Sequence, residues 1–326
     1  MMALFKVIAG RLYQAFLLLA VMSLVGFVGI HSVGNPVYNV VNIETATPED
    51  IRRATELLGL DLPLWRQYFV FLQNLATGSF GISYIYHQPA FALVMSKLPA
   101  TFELAAVAMI VATVTGTGLG LLAGTRPGSR LDRVVVAATV YALSVPSFWL
   151  SMMLILLCAV TTGWFPSGGR GSTAEFLGWD WSFLTIDGLR HLVLPALALA
   201  IPNIALIARL ARAGTVEVQR ADFVRFCRAK GISDRRILFR HTLPNISLPI
   251  ITIVGLQFGG MLAFAVVVES IFAWPGVGKL LIDSIQLLDR PVVVATLTLV
   301  ALTFVVLNAI VDLLYAVLDP RVRISA

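Results

Sequence analysis

Six stretches of this 326-residue chain run without Asp, Glu, Lys, Arg or His for about the length a helix needs to cross a bilayer. They cover residues 12–30, 104–125, 134–169, 192–208, 242–268 and 291–311. No other feature constrains the fold as strongly. A segment surrounded by lipid must satisfy its own backbone hydrogen bonds, and a helix is the simplest way to do so. Composition agrees: 58% of residues are hydrophobic, 13% are charged and the mean hydropathy is +0.87. Soluble domains carry about 25% charged residues, so an ordinary soluble enzyme, a disordered chain and a disulfide-built scaffold are excluded.

The third stretch is too long for one crossing, and its Gly- and Pro-rich end at 161–169 reads as loop. The fourth is short and is expected to borrow Arg209 at a snorkelling end. A further charge-free run at 67–86 contains Gln67, Gln73, Asn74 and Ser79, broken by Gly78 and Gly81. It reads as an amphipathic helix and a loop. Lys6 and Arg11 before the first span also suit a signal peptide, but residues 27–31 offer no small-x-small cleavage pattern, so the span is expected to be retained.

Charge bias supports six spans with both ends cytoplasmic. The inside segments would then be 1–11, 126–133, 209–241 and 319–326, and they hold 16 of the 24 Lys and Arg residues. The net charge of +6 therefore reports topology rather than nucleic-acid binding. Cys158 and Cys227 lie in an apolar run and a basic loop, which suits no bridge, and no Cys/His cluster has metal-ligand spacing.

Outside the membrane, Thr47-Pro48-Glu49-Asp50 is a helix start, with Thr47 as N-cap and Gly59 as a stop. A second helix follows Pro63. Inside, the loop after the fourth span has the pattern of two helices. Asp222 can cap one through Lys230, with Phe223, Phe226, Cys227 and Lys230 on one face. Gly231 breaks it, and Ser233 or Asp234 starts a second that ends before Pro244. An apolar ridge on a basic helix suits either a membrane surface or a groove in another protein.

At this loop the chain resembles a family. Gly231, nine residues, then His241-Thr242-Leu243-Pro244 is similar to the second half of the E-A-A-x3-G-x9-I-x-L-P loop of bacterial ABC importer permeases. Residues Asp222 to Ile232 look like the form found in the oligopeptide/dipeptide/nickel branch, though Arg225-Phe226-Cys227 stands in place of E-A-A and His241 in place of Ile. Leu58 to Leu64, Gln67-Tyr68, Gly78 to Ser83, Val267 to Gly278 and Asp289-Arg290-Pro291 resemble the B-type subunit of that branch.

The resemblance implies an all-α integral membrane protein with the ABC importer type I permease fold. Residues 1–31 would hold the first span, 32–98 a periplasmic loop, 99–318 a five-helix core with a coupling loop at 213–245, and 319–326 a cytoplasmic tail. Asp222, Phe223, Arg225, Phe226, Arg228, Lys230, Gly231, Leu243 and Pro244 would seat a cytoplasmic ATPase. Gln257, Met261 and Glu269 are candidates for the path or its gate. Implied partners are a second homologous permease (C-type), two ATPase subunits carrying ATP and Mg, an extracytoplasmic solute-binding protein and the bilayer of the bacterial inner membrane. The expected cargo is a di- or oligopeptide or a similar small solute.

The chain itself shows no nucleotide site. Gly276-Val277-Gly278-Lys279-Leu280 lacks the P-loop spacing and hydroxyl. No catalytic constellation, cofactor motif or nucleic-acid patch is expected. Glu103 reads as interfacial, Asp312 as a partner for an inside Arg, and Gly259 and Gly260 as small residues for close helix packing. Pro146, Pro195 and Pro202 read as kinks. A homo-oligomeric secondary carrier or channel is the rival reading, set back by the lack of an internal repeat and of charge at the span centres.

Overall fold

The computed structural model describes residues 47–318, with isolated positions between Leu17 and Val41. The first expected span, its retention, and the tail at 319–326 lie wholly or largely outside the described residues. Among the described residues two compact units emerge, one formed by those up to Pro99 together with 275–307, the other by 100–274 with those from 308 to 318.

In the first unit, α1 (Pro48–Leu57) starts as expected. Thr47 Oγ1 accepts from the Asp50 amide at 3.3 Å, and the Asp50 carboxylate accepts from the Thr47 amide at 3.0 Å, a reciprocal capping box. The Thr47 hydroxyl, donating to the same carboxylate at 2.7 Å, and then the Thr47 amide hold the Asp50 carboxyl below the usual carboxylate range. Gly59, at φ +65°, ends the helix. Helix α2 (Leu64–Thr77) follows, and Phe27 packs against its Tyr68 and Phe71 rings at 5.2 and 5.8 Å. Residues 78–89 then form a loop, as the polar run at 67–86 indicated. Asp289 anchors this loop, accepting from the Ser83 hydroxyl and from the Tyr84 amide at 3.3 Å. The start of α3 (Ala90–Thr125), α10 (Val277–Gln286) and α11 (Arg290–Leu318) close the unit around Val94, Leu280, Val292 and Ala295.

The second unit holds the rest of α3, then α4 (Arg130–Ser144), α5 (Ser147–Leu154) with a π-helical turn (Ile155–Thr161), and a hairpin of β1 (Ala174–Phe176) and β2 (Trp179–Trp181). Helices α6 (Ile186–Arg220), α7 (Asp222–Ala229), α8 (Asp234–Ile237), a second π turn (Leu238–Thr242) and α9 (Leu243–Ile271) complete it. Its core joins Leu104 and Ala108 of α3, Leu199 and Ile207 of α6, and Ile250, Met261 and Val268 of α9.

Among the described residues, four helices are long and apolar enough to cross a membrane, and a fifth crossing is available if α4 and α5 count as one broken span. Several expectations change here. The third stretch is no single kinked helix: α4 and α5 turn through 106° at Val145. Pro146 supplies no amide hydrogen, and a residue before proline is driven to extended backbone, here φ −86° and ψ 125°. The short fourth stretch lies within a 35-residue helix that contains both Pro195 and Pro202. The second helix of the inner loop does not end before Pro244. It runs on through the π turn into α9, with Pro244 in the first turn of α9, where its missing N–H is accommodated.

Of the two glycines expected to allow close helix packing, Gly259 is buried and Gly260 is not. A Cβ on Gly260 would meet nothing nearer than 3.8 Å. Gly116, Gly120 and Gly124 form a four-residue repeat along α3 pressed on α6. Cβ atoms there would lie 2.9 Å from the Ile204 carbonyl oxygen, 2.5 Å from that of Ala208 and 2.5 Å from Thr215 Cβ. In lipid, helices gain little from mutual apolar burial, so such backbone approach supplies much of the association.

Candidate coupling site

The end of α6 and the start of α7 share one residue. Ala221 takes φ −66° and ψ 147°, closing the first helix and opening the second. Asp222 is therefore not the cap: it sits in the first turn of α7, where its charge suits the positive end of the helix dipole. Its contact with Arg225 at 3.4 Å is fully exposed and contributes little.

Helix α7 has two faces. Val224 is fully buried, while Phe223 and Phe226 stand 43% and 60% exposed. The ridge expected from the sequence is thus turned outward, away from the packing of its own chain. Lys230 Nζ lies 4.5 Å from the centre of the Phe226 ring, a cation–π contact at the end of that ridge. Gly231 follows at φ +75°, the left-handed backbone that lets the chain turn into α8.

Arg228 is occupied from within. Its Nη2 donates to Gln219 Oε1 at 2.5 Å and its Nε to Asp234 Oδ1 at 3.1 Å. Gln219 Nε2 in turn donates to the buried Thr242 hydroxyl at 3.1 Å. One side chain on α7 is thereby tied to the end of α6, the start of α8 and, through Gln219, the π turn. Leu243 packs against the core next to that turn. The structure brings Asp222 to Gly231 onto one short element and sets Leu243 and Pro244 at its far buttress.

The path candidates lie apart from this element. Gln257 is half-buried, and Met261 packs inside the core at 3% exposure. Glu269 is fully buried and accepts from the Thr101 hydroxyl at 2.7 Å. Beside it, Glu103 at the start of its span faces the rest of the chain and not solvent or lipid. It is buried, with Oε2 accepting from Arg170 at 2.6 and 3.1 Å and Oε1 from the Ser182 and Phe183 amides at 2.7 and 2.8 Å. Such satisfaction is what a buried carboxylate requires. It staples the loop carrying the hairpin to α3, and Arg170 also lies 5.7 Å over the Trp274 ring. The Asp312 side chain lies outside the described residues.

At the other end of α3, Asp132 accepts from Arg212 of α6, through Nε and through Nη2 at 2.9 Å, and from the Gly128 amide at 2.8 Å. The guanidinium hydrogen bonds, with the amide, hold its carboxyl down at about 2. Sequence reasoning passed over Asp132 and Arg212. Only Ser129-x-x-Asp132, a capping pattern, was visible there. No group of three or more His, Cys, Asp or Glu among the described residues is placed to hold a metal.

Helix α7 is thus a short two-faced helix braced at the end of a long apolar one. The profile described as "Binding-protein-dependent transport system inner membrane component" matches residues 116–324. The chain belongs to this family. A companion profile for the N-terminal part of such membrane components matches residues 4–105. Among curated relatives, the di/tripeptide transport system permease protein DppB of Pseudomonas aeruginosa (strain UCBPP-PA14) is 38% identical, covering 89% of this chain and 90% of that protein. The dipeptide permease DppB of Escherichia coli (strain K12) is 37% identical over 93% and 94%. The oligopeptide permease AppB of Bacillus subtilis (strain 168) is 38% identical over 84% and 85%. A solved chain of the MetNI methionine ABC transporter, in an inward-facing conformation, shares the fold with a TM-score of 0.56 at 18% identity, covering 70% of this chain and 96% of that one. The protein is thus a multi-pass permease subunit of an ABC transport system, a transport component rather than an enzyme.

Proposed function

We propose that this permease is one half of the membrane path of a peptide importer. A second, C-type permease forms the other half, and two cytoplasmic ATPases, which bind the ATP and Mg, seat on α7. A solute-binding protein delivers a di- or oligopeptide from outside. Six spans place residues 1–11 and 319–326 in the cytoplasm and 32–98 outside the bacterial inner membrane. The peptide as cargo rests on what the relatives are named for. The coupling role rests on one observation: α7 buries Val224 against its own chain while Phe223 and Phe226 face away. An apolar ridge on a braced helix suits insertion into a groove of a partner.

The test is to express the tagged chain with its chromosomal neighbours, extract it gently in detergent and identify the bound proteins by mass spectrometry. Recovery of a second permease and ATPase subunits is expected. A chain recovered alone, with uptake into vesicles that needs no ATP, overturns the proposal in favour of a carrier.

A further inference from the structure

We propose that Asp132 and Arg212 form a clasp that carries the displacement of α7 into α3 and α4, making them positioning residues for coupling ATP hydrolysis to transport. The inference rests on the ATPase-docking role given to α7 above. It concerns residues outside the loop that resembles the family's motif.

Three observations converge on this pair. Asp132 is 3% exposed, and its carboxylate takes both Arg212 nitrogens and the Gly128 amide. It therefore fixes the four-residue turn between α3 and α4 and fastens that turn to α6. Arg212 lies ten residues before α7 begins, about 15 Å along a helix. Its own backbone is in the glycine seam: a Cβ on Gly120 would meet the Arg212 nitrogen at 2.9 Å and one on Gly124 its carbonyl oxygen at 2.9 Å. Finally, α7 is itself lashed to the end of α6 through Arg228 and Gln219.

Mechanical consequences follow from this order of contacts. A push on α7 reaches α6 through Ala221 and the Arg228–Gln219 bond. Along α6 it meets the glycine seam, which resists sliding because the backbones are in contact, and the clasp, which resists separation at the inner end. Without the clasp, the seam alone must hold α3 and α4 to a moving α6. A surface ion pair would contribute little, but one partner here is buried, and geometry of two parallel N–H···O bonds adds direction as well as strength.

The experiment uses the whole complex, reconstituted in proteoliposomes with its binding protein. Uptake of radiolabelled dialanine and ATP hydrolysis are measured together for wild type, Asp132→Asn, Arg212→Gln, the double variant and Arg212→Lys. Asn at 132 can still accept from Gly128, and Lys at 212 keeps the charge while losing the fork. Retention of ATPase subunits and the unfolding temperature are recorded for each. Variants that assemble are expected to hydrolyse ATP yet import about tenfold less dialanine per ATP, the size of an ordinary coupling between sites. The double variant should be no worse than either single one. If assembled variants, Arg212→Lys included, import as much per ATP as wild type, the clasp is structural and the proposal falls. A wild-type complex that neither retains ATPases nor imports overturns the transport reading and this inference with it.

Discussion

A methyl group on Gly120 would fall 2.5 Å from the Ala208 carbonyl oxygen and 2.6 Å from Ala211 Cβ, and the first of these is backbone that cannot swing aside. Gly118, two residues earlier, has nothing within 4 Å of the same position. Gly120→Ala is therefore expected to destabilise the chain by about 1–3 kcal/mol, as overpacking does, and Gly118→Ala to change it by less than about 0.5 kcal/mol. Unfolding temperatures in detergent separate the two, and equal losses would show that the seam is looser than its geometry. The repeat at 116, 120 and 124 was present in the sequence, yet small residues also stand at 259 and 260. Spacing alone did not say which face meets a backbone.

Asp132 supports a prediction of opposite character, since it concerns charge rather than volume. Its folded pKa of about 2 lies below its ordinary value of 3.8. A depressed carboxylate stabilises the fold while it is ionised, so the contribution is complete above pH ~4 and is lost as pH falls from there toward the folded pKa. Wild type should unfold at a higher temperature than Asp132→Asn by a constant margin near neutral pH, and the margin should shrink between about pH 4 and pH 2. A margin that widens on acidification would contradict the pairing. The partner, Arg212, stands 80 positions away, and pairings of that separation leave no local pattern to read.

At the scale of elements, α7 carries the clearest contrast. Burial of Val224 is worth about 1.5–3 kcal/mol, so Val224→Asp, which also buries a charge, should lower the unfolding temperature of the subunit. Phe223→Asp with Phe226→Asp should leave that temperature almost unchanged while releasing the ATPases in a pull-down. If both changes act alike, the exposed ridge is packing and not a docking surface. The helix, its ridge and Gly231 as its end were legible because period and glycine are local signals. The extension of the next helix through Pro244 was not. A π turn redistributes hydrogen bonds over residues whose identities, Leu238 to Thr242, do not announce it. The hairpin is a similar case: Leu177 and Gly178 at φ +56° and +78° make its turn, and Leu is a poor signal for left-handed backbone.

For the whole molecule, the open quantity is the number of crossings, and the broken helix decides it. Helix α4 has 15 residues, and α5 with its π turn has 15. Each leg is about 22 Å long, and a 106° turn leaves their ends about 27 Å apart, close to the hydrocarbon thickness of about 30 Å. The pair therefore fits a crossing when its end-to-end line lies along the membrane normal, and fits a re-entrant loop when it does not. Charge separates the two. Arg126 precedes the pair and Arg130 and Arg133 lie in its first turn, and the nine Lys and Arg residues of 209–241 lie on the same side as these only if the pair crosses and α6 returns. Leu57 is 85% exposed before α3, Leu177 is 82% exposed at the hairpin tip, and Phe239 is 56% exposed beyond α6. Single cysteines at these three positions, with Cys158 and Cys227 replaced by serine, report sidedness directly. A membrane-impermeant maleimide added to intact spheroplasts is expected to label Leu57→Cys and Leu177→Cys, and to label Phe239→Cys only after permeabilisation. Labelling of Leu57→Cys without Leu177→Cys would make the bent pair re-entrant and remove one crossing from the count.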